Sequence, residues 1–543
     1  MLINVDLDKE QRNFILRFQY DPKTIQIVRS IQGRKWDAKE KHWLIPISEF
    51  ETLKKLLPEH QLSDKVKQYL ATKDIIFPCD ISKYEFKTKP YQHQRIGLET
   101  LLKYRRFGIT DEMGLGKTKT AIDFIDYLGE REKISYVLVV CSKSLKWNWK
   151  EEFKLHSKYR LAVSAIANEK KDRIKDIKNI FDYEAGIYIA TYDTVRLEIE
   201  QFKKVDWDII VLDEVQKIKN HKALRTKAIY NLNSRYKIFL SGTFVANKPE
   251  DTWSPIYWIR PDLIGSYYGF LDKYCVMGEY GIEGYKNLDQ LKKIIAEVTL
   301  HRTKKECLDL PEKIYRNIPV EINGEQRKLY NKMRDDMVIR LKTMDEKEYI
   351  YEAPNILVQL LRLVQLASNP RLLDGVDVDS AKFEVVDDLL EECMVGNDKV
   401  ILWSSFVKNI DELWYKYNKE YNAEKIYGNT IERDRILVQK RFKEDSRCRL
   451  LIANPATAGE GLNLQSANIA IFIDRTFNKT HWLQAQDRIH RIGQTKKCEI
   501  ITLTGIDTID EYVNKKLKDK QEVADFLEGG ILLNNKKELI ESI

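Results

Sequence analysis

With 543 residues, 43% hydrophobic and 32% charged, the chain is too long for a single core and too polar for a bilayer, which predicts several soluble domains. A net charge of +8 permits a polyanionic partner without requiring one, and no apolar run approaches the ~18 residues of a membrane span. Seven cysteines without a CxxC pair argue against a zinc module or a disulfide framework, and the acidic start MLINVDLDKE is no secretory signal; the expectation is an unsecreted protein of a reducing compartment, cytoplasmic or nuclear.

Residues 1–80 read as a small α/β module: alternating apolar residues through Ile15, Phe18, Ile25 and Ile27, then GRKWDAKEKHWLIP, then a helical pattern at Phe50, Leu53, Leu56 and Leu57. Trp36 and Trp43 stand among Arg34, Lys35, Lys39, Lys41 and His42. Aromatics interleaved with cations suit a nucleic acid, the rings stacking on bases and the cations holding phosphate. The same two tryptophans would equally serve to fill a small core.

Residues 85–310 form the first predicted lobe. In KPYQHQRIGLETL, Gln92, or failing it Gln94, can pair its amide with an adenine edge. DEMGLGKT, residues 111–118, then reads as a glycine-rich turn opening a helix. Gly114 and Gly116 let backbone N–H groups face a phosphate, Lys117 brings a charge to the β- and γ-phosphates, and Thr118 offers a hydroxyl to Mg²⁺. Asp111 stands where the general pattern has glycine. The strands YVLVVC and GIYIAT run into polar turns carrying Ser142 and Thr191, suited to a nucleic-acid backbone or simply to turns. VDWDIIVLDEVQ is a buried-strand pattern ending in paired acids: Asp213 for the metal, Glu214 for the attacking water. YKIFLSGT follows, with Ser241 and Thr243 placed to sense that pair.

These blocks, with LSGTFVANKPEDTW and the later AGEGLNL and QAQDRIHRIGQT, together resemble the Swi/Snf-type ATPases of helicase superfamily 2, from about residue 88 to residue 525. The resemblance implies an ATP- and Mg²⁺-dependent motor that tracks along double-stranded DNA; a refinement, favoured by the Trp36 and Trp43 module, is an enzyme that remodels branched DNA and reanneals its strands. Asp111 then agrees with the family's own loop. Gln216 departs from it, since the family usually carries histidine there, and an amide can still bridge to phosphate or to Ser241. The WD…W pattern near the N-terminus resembles the HARP-like module attached to certain DNA-remodelling ATPases.

Residues 311–385 look like the family's connection between lobes, with helical spacing at Leu357, Leu360, Leu361, Val364 and Leu366. Residues 386–515 form the second lobe, whose strands KVILWSSF, RLLIANPAT and IAIFID alternate with helices. Thr457 is a nucleic-acid candidate there and Gly461 a nucleotide contact. Arg488 and Arg491, three apart and expected on one helical face, are the candidate arginine fingers. Gln486 resembles the family's motif glutamine and is assigned to coupling; His490 serves the site or the packing. Residues 516–543 resemble the family's brace helix and would equally suit a partner-binding helix. The expected fold is thus α/β: two tandem RecA-like parallel-sheet lobes with a small α/β N-terminal module and a helical connector and brace. A strand-separating helicase and a DNA-binding scaffold without ATPase activity are the competing functions.

Overall fold

The computed structural model describes residues 3–7, 13–31, 33–46, 53, 56, 60–63, 66 and 80–518 with Ile540, apart from residues 133, 159–160, 184, 243, 245–247, 279–280, 323, 345–347, 349–351, 395, 459–461, 463 and 476–478. Thr243, Gly461 and most of the proposed brace therefore lie outside the described residues. The chain divides into two compact units, Met1–Cys307 and Leu308–Ile543.

The first unit begins with a five-stranded sheet ordered β3-β4-β2-β1-β5, made of β1 (Ile3–Leu7), β2 (Asn13–Arg17), β3 (Lys35–Asp37), β4 (His42–Pro46) and β5 (His60–Leu62). Its helix α1 (Pro22–Ser30) starts on Pro22, and Asp21 caps it by accepting the Thr24 N–H at 2.8 Å. Strand alternation sends Phe14 and Leu16 into a core with Val5, Val28 and Ile45.

The larger sheet is seven-stranded and parallel throughout, ordered β14-β6-β11-β10-β7-β9-β8. Its strands are β6 (Arg106–Ile109), β7 (Tyr136–Cys141), β8 (Val163–Ala165), β9 (Gly186–Thr191), β10 (Trp207–Asp213), β11 (Ser234–Leu240) and β14 (Thr299–Leu300); β12 (Cys275–Gly278) and β13 (Gly281–Tyr285) form a separate hairpin. Because both faces are covered, the strands read as continuous apolar runs rather than alternating ones. Leu138, Val140, Ile210 and Leu212 enter one core, whereas Val137, Val139, Ile209 and Val211 enter the other. The functional consequence lies in the strand order. With β11 between β6 and β10, the segments that follow these three strands emerge side by side at the carboxyl edge, where open parallel sheets bind ligands.

The second unit carries a six-stranded parallel sheet ordered β15-β20-β19-β16-β18-β17. Its strands are β15 (Lys313–Val320), β16 (Val400–Trp403), β17 (Glu424–Ile426), β18 (Leu450–Ala453), β19 (Ile469–Phe472) and β20 (Cys498–Gly505). Again alternate residues feed two cores: Val400 and Leu402 on one face, Ile401 and Trp403 on the other. Lys313–Val320, read from sequence as part of the connector, is instead the edge strand of this sheet. Its mixed polar pattern suits an edge, since most of its side chains are exposed. The helices Gly324–Thr343 and Ala353–Ser368 pack with Ile509–Lys518 around Tyr330, Leu360 and Tyr512. Among the described residues no helix is long and apolar enough to cross a membrane.

Candidate nucleotide site

The loop after β6 carries two glycines in the left-handed region, Gly114 at φ 84° and Gly116 at φ 75°, a conformation that costs glycine little. Gly116 caps helix α2 (Lys117–Arg131), which places the turn at a helix N-terminus, the kind of end whose N–H groups and dipole favour an anion. Lys117 Nζ donates to the carbonyls of Asp111 at 2.6 Å and Glu112 at 3.0 Å, which holds the ammonium over its own loop. Thr118, half-buried, is the next residue of the helix.

Asp111, 2% exposed, is a loop anchor. Its carboxylate receives Arg302 Nε at 3.0 Å and Nη2 at 2.5 Å, a bidentate pair that a glycine could not make. Nothing in the sequence around 302 singles this arginine out; the available signal was a carboxylate in a glycine's place, which, once buried, requires a cation.

At the end of β10, buried Asp213 accepts Trp149 Nε1 at 2.8 Å and the Glu214 N–H at 2.9 Å. Burial, then the neighbouring Glu214 charge, pushes its carboxyl up to about 7 against the pull of Trp149 and Lys117. Trp149, from KWNWKEEF, is a site residue that sequence reasoning missed. Glu214 takes φ 52°, a conformation costing a non-glycine residue roughly 1–2 kcal/mol. Its Oε2 accepts Gln216 Nε2 at 2.6 Å, and Gln216 Oε1 accepts the Ser241 hydroxyl at 3.1 Å. The residues after β10 and β11 are thereby linked by side chains. The third strand end joins them at Gly242, where a Cβ would lie 2.4 Å from Met113 Cγ and 3.6 Å from Lys117 Nζ.

The two glutamines before the loop separate. Gln94 is buried, accepting the Tyr91 N–H at 3.0 Å and donating to Leu115 O at 3.3 Å, whereas Gln92 is exposed on the first turn of the helix Gln92–Tyr104. Of the other candidates in this unit, Thr191 is buried and caps Tyr192–Leu197 through the Thr194 N–H at 3.0 Å, and Ser142 stands half-buried, 3.2 Å from the Ser144 hydroxyl. Trp36 and Trp43 face each other across β3 and β4 with ring centroids 5.2 Å apart. Trp43 packs on the module core, but Trp36 is 50% exposed beside exposed Arg34, Lys35, Lys39 and Lys41, while His42 is buried.

In the second unit the expectation of a helical arginine pair is corrected. The helix Lys479–Gln486 ends before Arg488, and the chain continues in turns closed by Arg488 N to Ala485 O and Ile489 N to Gln486 O, each at 3.3 Å. Gly493, at φ 94°, completes the reversal, and buried Gln494 pins it by donating to Ala467 O at 2.9 Å and Ile489 O at 3.1 Å. Arg488 and Arg491 are both half-buried in this turn, Arg488 reaching Leu462 O at 3.4 Å. Gln486 is 0% exposed and accepts the Tyr315 hydroxyl at 3.1 Å; His490 is buried, with Nε2 2.8 Å from Pro311 O. Thr457, half-buried, follows β18 in the short helix Pro455–Ala458.

A glycine loop opening a helix, a carboxylate pair at the end of β10, one strand removed from β6 in the same sheet, and a second all-parallel sheet define a protein with two tandem RecA-like sheets. Residues 93–372 match the SNF2-related domain and residues 381–493 the helicase conserved C-terminal domain: the chain belongs to the SNF2-related family. It is 28% identical over 446 residues to an uncharacterized ATP-dependent helicase of Mycoplasma genitalium, covering 80% of this chain and 42% of that protein. The ISWI chromatin-remodeling complex ATPase ISW1 of Saccharomyces cerevisiae is 29% identical over 455 residues, 80% of this chain and 40% of that one. The chain thus spans about two fifths of the length of these relatives. Among solved structures, the Sulfolobus solfataricus SWI2/SNF2 ATPase core in complex with dsDNA is 28% identical, covering 84% of this chain and 96% of that one, with a TM-score of 0.41.

Proposed function

We propose that this chain is a DNA-dependent ATPase that tracks along duplex DNA and so remodels or reanneals DNA structures or displaces bound protein. The observation that carries the reading is the continuous contact from Ser241 through Gln216 to Glu214, beside a loop built to hold phosphate. Lys117 and the N–H groups around Gly114 and Gly116 bind the triphosphate, and Gln92 selects adenine. Glu214, oriented by Gln216, accepts the proton of the attacking water. Ser241, with Gln216, relays the state of that carboxylate to the segment after β11. Arg488 and Arg491 neutralise the charge that develops on the departing phosphate.

The donor set suits Mg²⁺: Thr118 offers a hydroxyl, and Asp213 is a carboxylate whose burial beside a second acid is relieved by a cation. When bound, the ion would neutralise phosphate charge. The DNA assignment rests on the family and on the exposed face made by Trp36 and its cations, with Ser142 and Thr457 as backbone contacts. The test is ATP hydrolysis measured on duplex, single-stranded, forked and four-way DNA. Stimulation by duplex supports the motor, and an unmoved rate opposes it. Unwinding of a fork would instead favour a strand-separating helicase.

A further inference from the structure

The segment after β14 is bonded to residues 110–112, where the phosphate loop begins. Thr299 and Leu300 pair with Gly108 and Ile109 in the sheet. Past the strand, the Thr110 N–H donates to Leu300 O at 2.8 Å, the Glu112 N–H to Arg302 O at 2.9 Å, and the Lys304 N–H to Glu112 Oε2 at 2.7 Å. His301 Nδ1 lies 2.6 Å from Thr110 O. The chain then runs on to Cys307, the last residue of the first unit.

Arg302 is where this strap meets the rest of the site. Besides its two bonds to Asp111, it sends Nη1 to His93 O at 2.6 Å, in the first turn of the helix that Gln92 opens. The fit there is close, for a Cβ on Gly97 would stand 3.3 Å from Arg302 Nη2. His93 Nε2 lies 2.8 Å from Leu115 O, so helix and loop are also joined directly. One guanidinium therefore spans three segments: the helix carrying the adenine candidate, the loop carrying Lys117, and the strap. Lysine could not replace it, because a single ammonium lacks the planar fork that serves a carboxylate and a carbonyl at once.

Resting on the reading of residues 111–118 as a phosphate loop, we propose that Arg302 is a positioning residue for nucleotide binding. Through Asp111 it fixes the backbone carbonyls that Lys117 Nζ engages, and through His93 it fixes the start of the helix bearing Gln92. Its contribution is the relative placement of base and phosphate contacts.

The test compares Arg302→Gln, Arg302→Lys, the pair Arg302→Gln with Asp111→Asn, and Lys117→Ala in the full chain. ADP and ATP affinity, KM and kcat for ATP hydrolysis, and thermal unfolding are read for each. Arg302→Gln is expected to weaken nucleotide binding and raise KM about tenfold or more, with a smaller change in kcat, and to lower the melting temperature because it leaves a buried carboxylate uncompensated. Arg302→Lys should fall between the two. The double variant removes the stranded charge and is expected to recover the melting temperature but not the nucleotide affinity. Wild-type affinity in Arg302→Gln, or recovery of affinity together with stability in the double variant, would overturn the proposal and leave Arg302 a stabilising residue only. If Lys117→Ala also binds nucleotide normally, the phosphate-loop reading has failed and the proposal falls with it; if Lys117→Ala alone loses binding, the loop stands and the fault lies with Arg302.

Discussion

Gln216 joins Ser241 to Glu214, accepting from the serine hydroxyl at 3.1 Å and donating to the carboxylate at 2.6 Å. An amide does this with both of its ends, so the position that usually carries histidine in the family keeps the connection here. Removing the amide in Gln216→Ala frees the Glu214 carboxylate to rotate. Hydrogen bonds to charged groups are worth about 1.5–3 kcal/mol, so kcat should fall about 10–100-fold with little change in KM, measured by steady-state hydrolysis. Gln216→Glu should be worse, because it sets a like charge against Glu214.

Asp213 gives the site a pH-dependent stability. Its carboxyl is raised from 3.8 to about 7, so between those values the folded chain keeps a proton that the unfolded chain has lost. Stability from this group is therefore highest at acid pH and declines as pH rises through about 7. Asp213→Asn removes the burial cost and the repulsion with Glu214. Its melting temperature should exceed that of the wild type by about 2–4 °C at pH 8, with the gap closing toward pH 5. Hydrolysis should be lost in the same variant, a gain in stability at the expense of activity.

Arg488 and Arg491 lie in a turn pinned by Gln494, not on a helix. Arginine fingers contribute about three to five orders of magnitude in rate, so Arg491→Lys and Arg488→Lys should each reduce kcat by about 10³ while nucleotide affinity in direct titration stays near wild type. Gln494→Ala should lower the same rate through the turn it supports and should also reduce stability.

Trp36 and Trp43 face one another but answer to different demands. Trp36→Ala should leave the melting temperature unchanged and weaken single-stranded or forked DNA binding by about 1–3 kcal/mol in a fluorescence titration. Trp43→Ala should destabilise, since that ring packs against the module core.

The sheets were legible because strands covered on both faces are uninterrupted apolar runs, as in Ile209–Leu212 and Ile401–Trp403, and few other elements look like that. The glycine loop and the acid pair were legible because they are local in sequence. What sequence could not supply is the long-range pairing: Arg302 stands 191 positions from Asp111, and Trp149 stands 64 from Asp213. The arginine turn was misread as helix because three-residue spacing is common to helices and to tight turns, and the choice between them was made by Gly493 and the buried Gln494 side chain. The edge strand Lys313–Val320 escaped notice because an exposed strand lacks the apolar run that marked its neighbours.

The decisive measurement is ATP turnover by the wild type and by Glu214→Gln, each with and without double-stranded DNA. A DNA-stimulated wild-type rate, with turnover abolished in Glu214→Gln while ATP binding persists, is the predicted result. Turnover in Glu214→Gln equal to that of the wild type, or a wild-type rate indifferent to DNA, would contradict a DNA motor driven from this carboxylate.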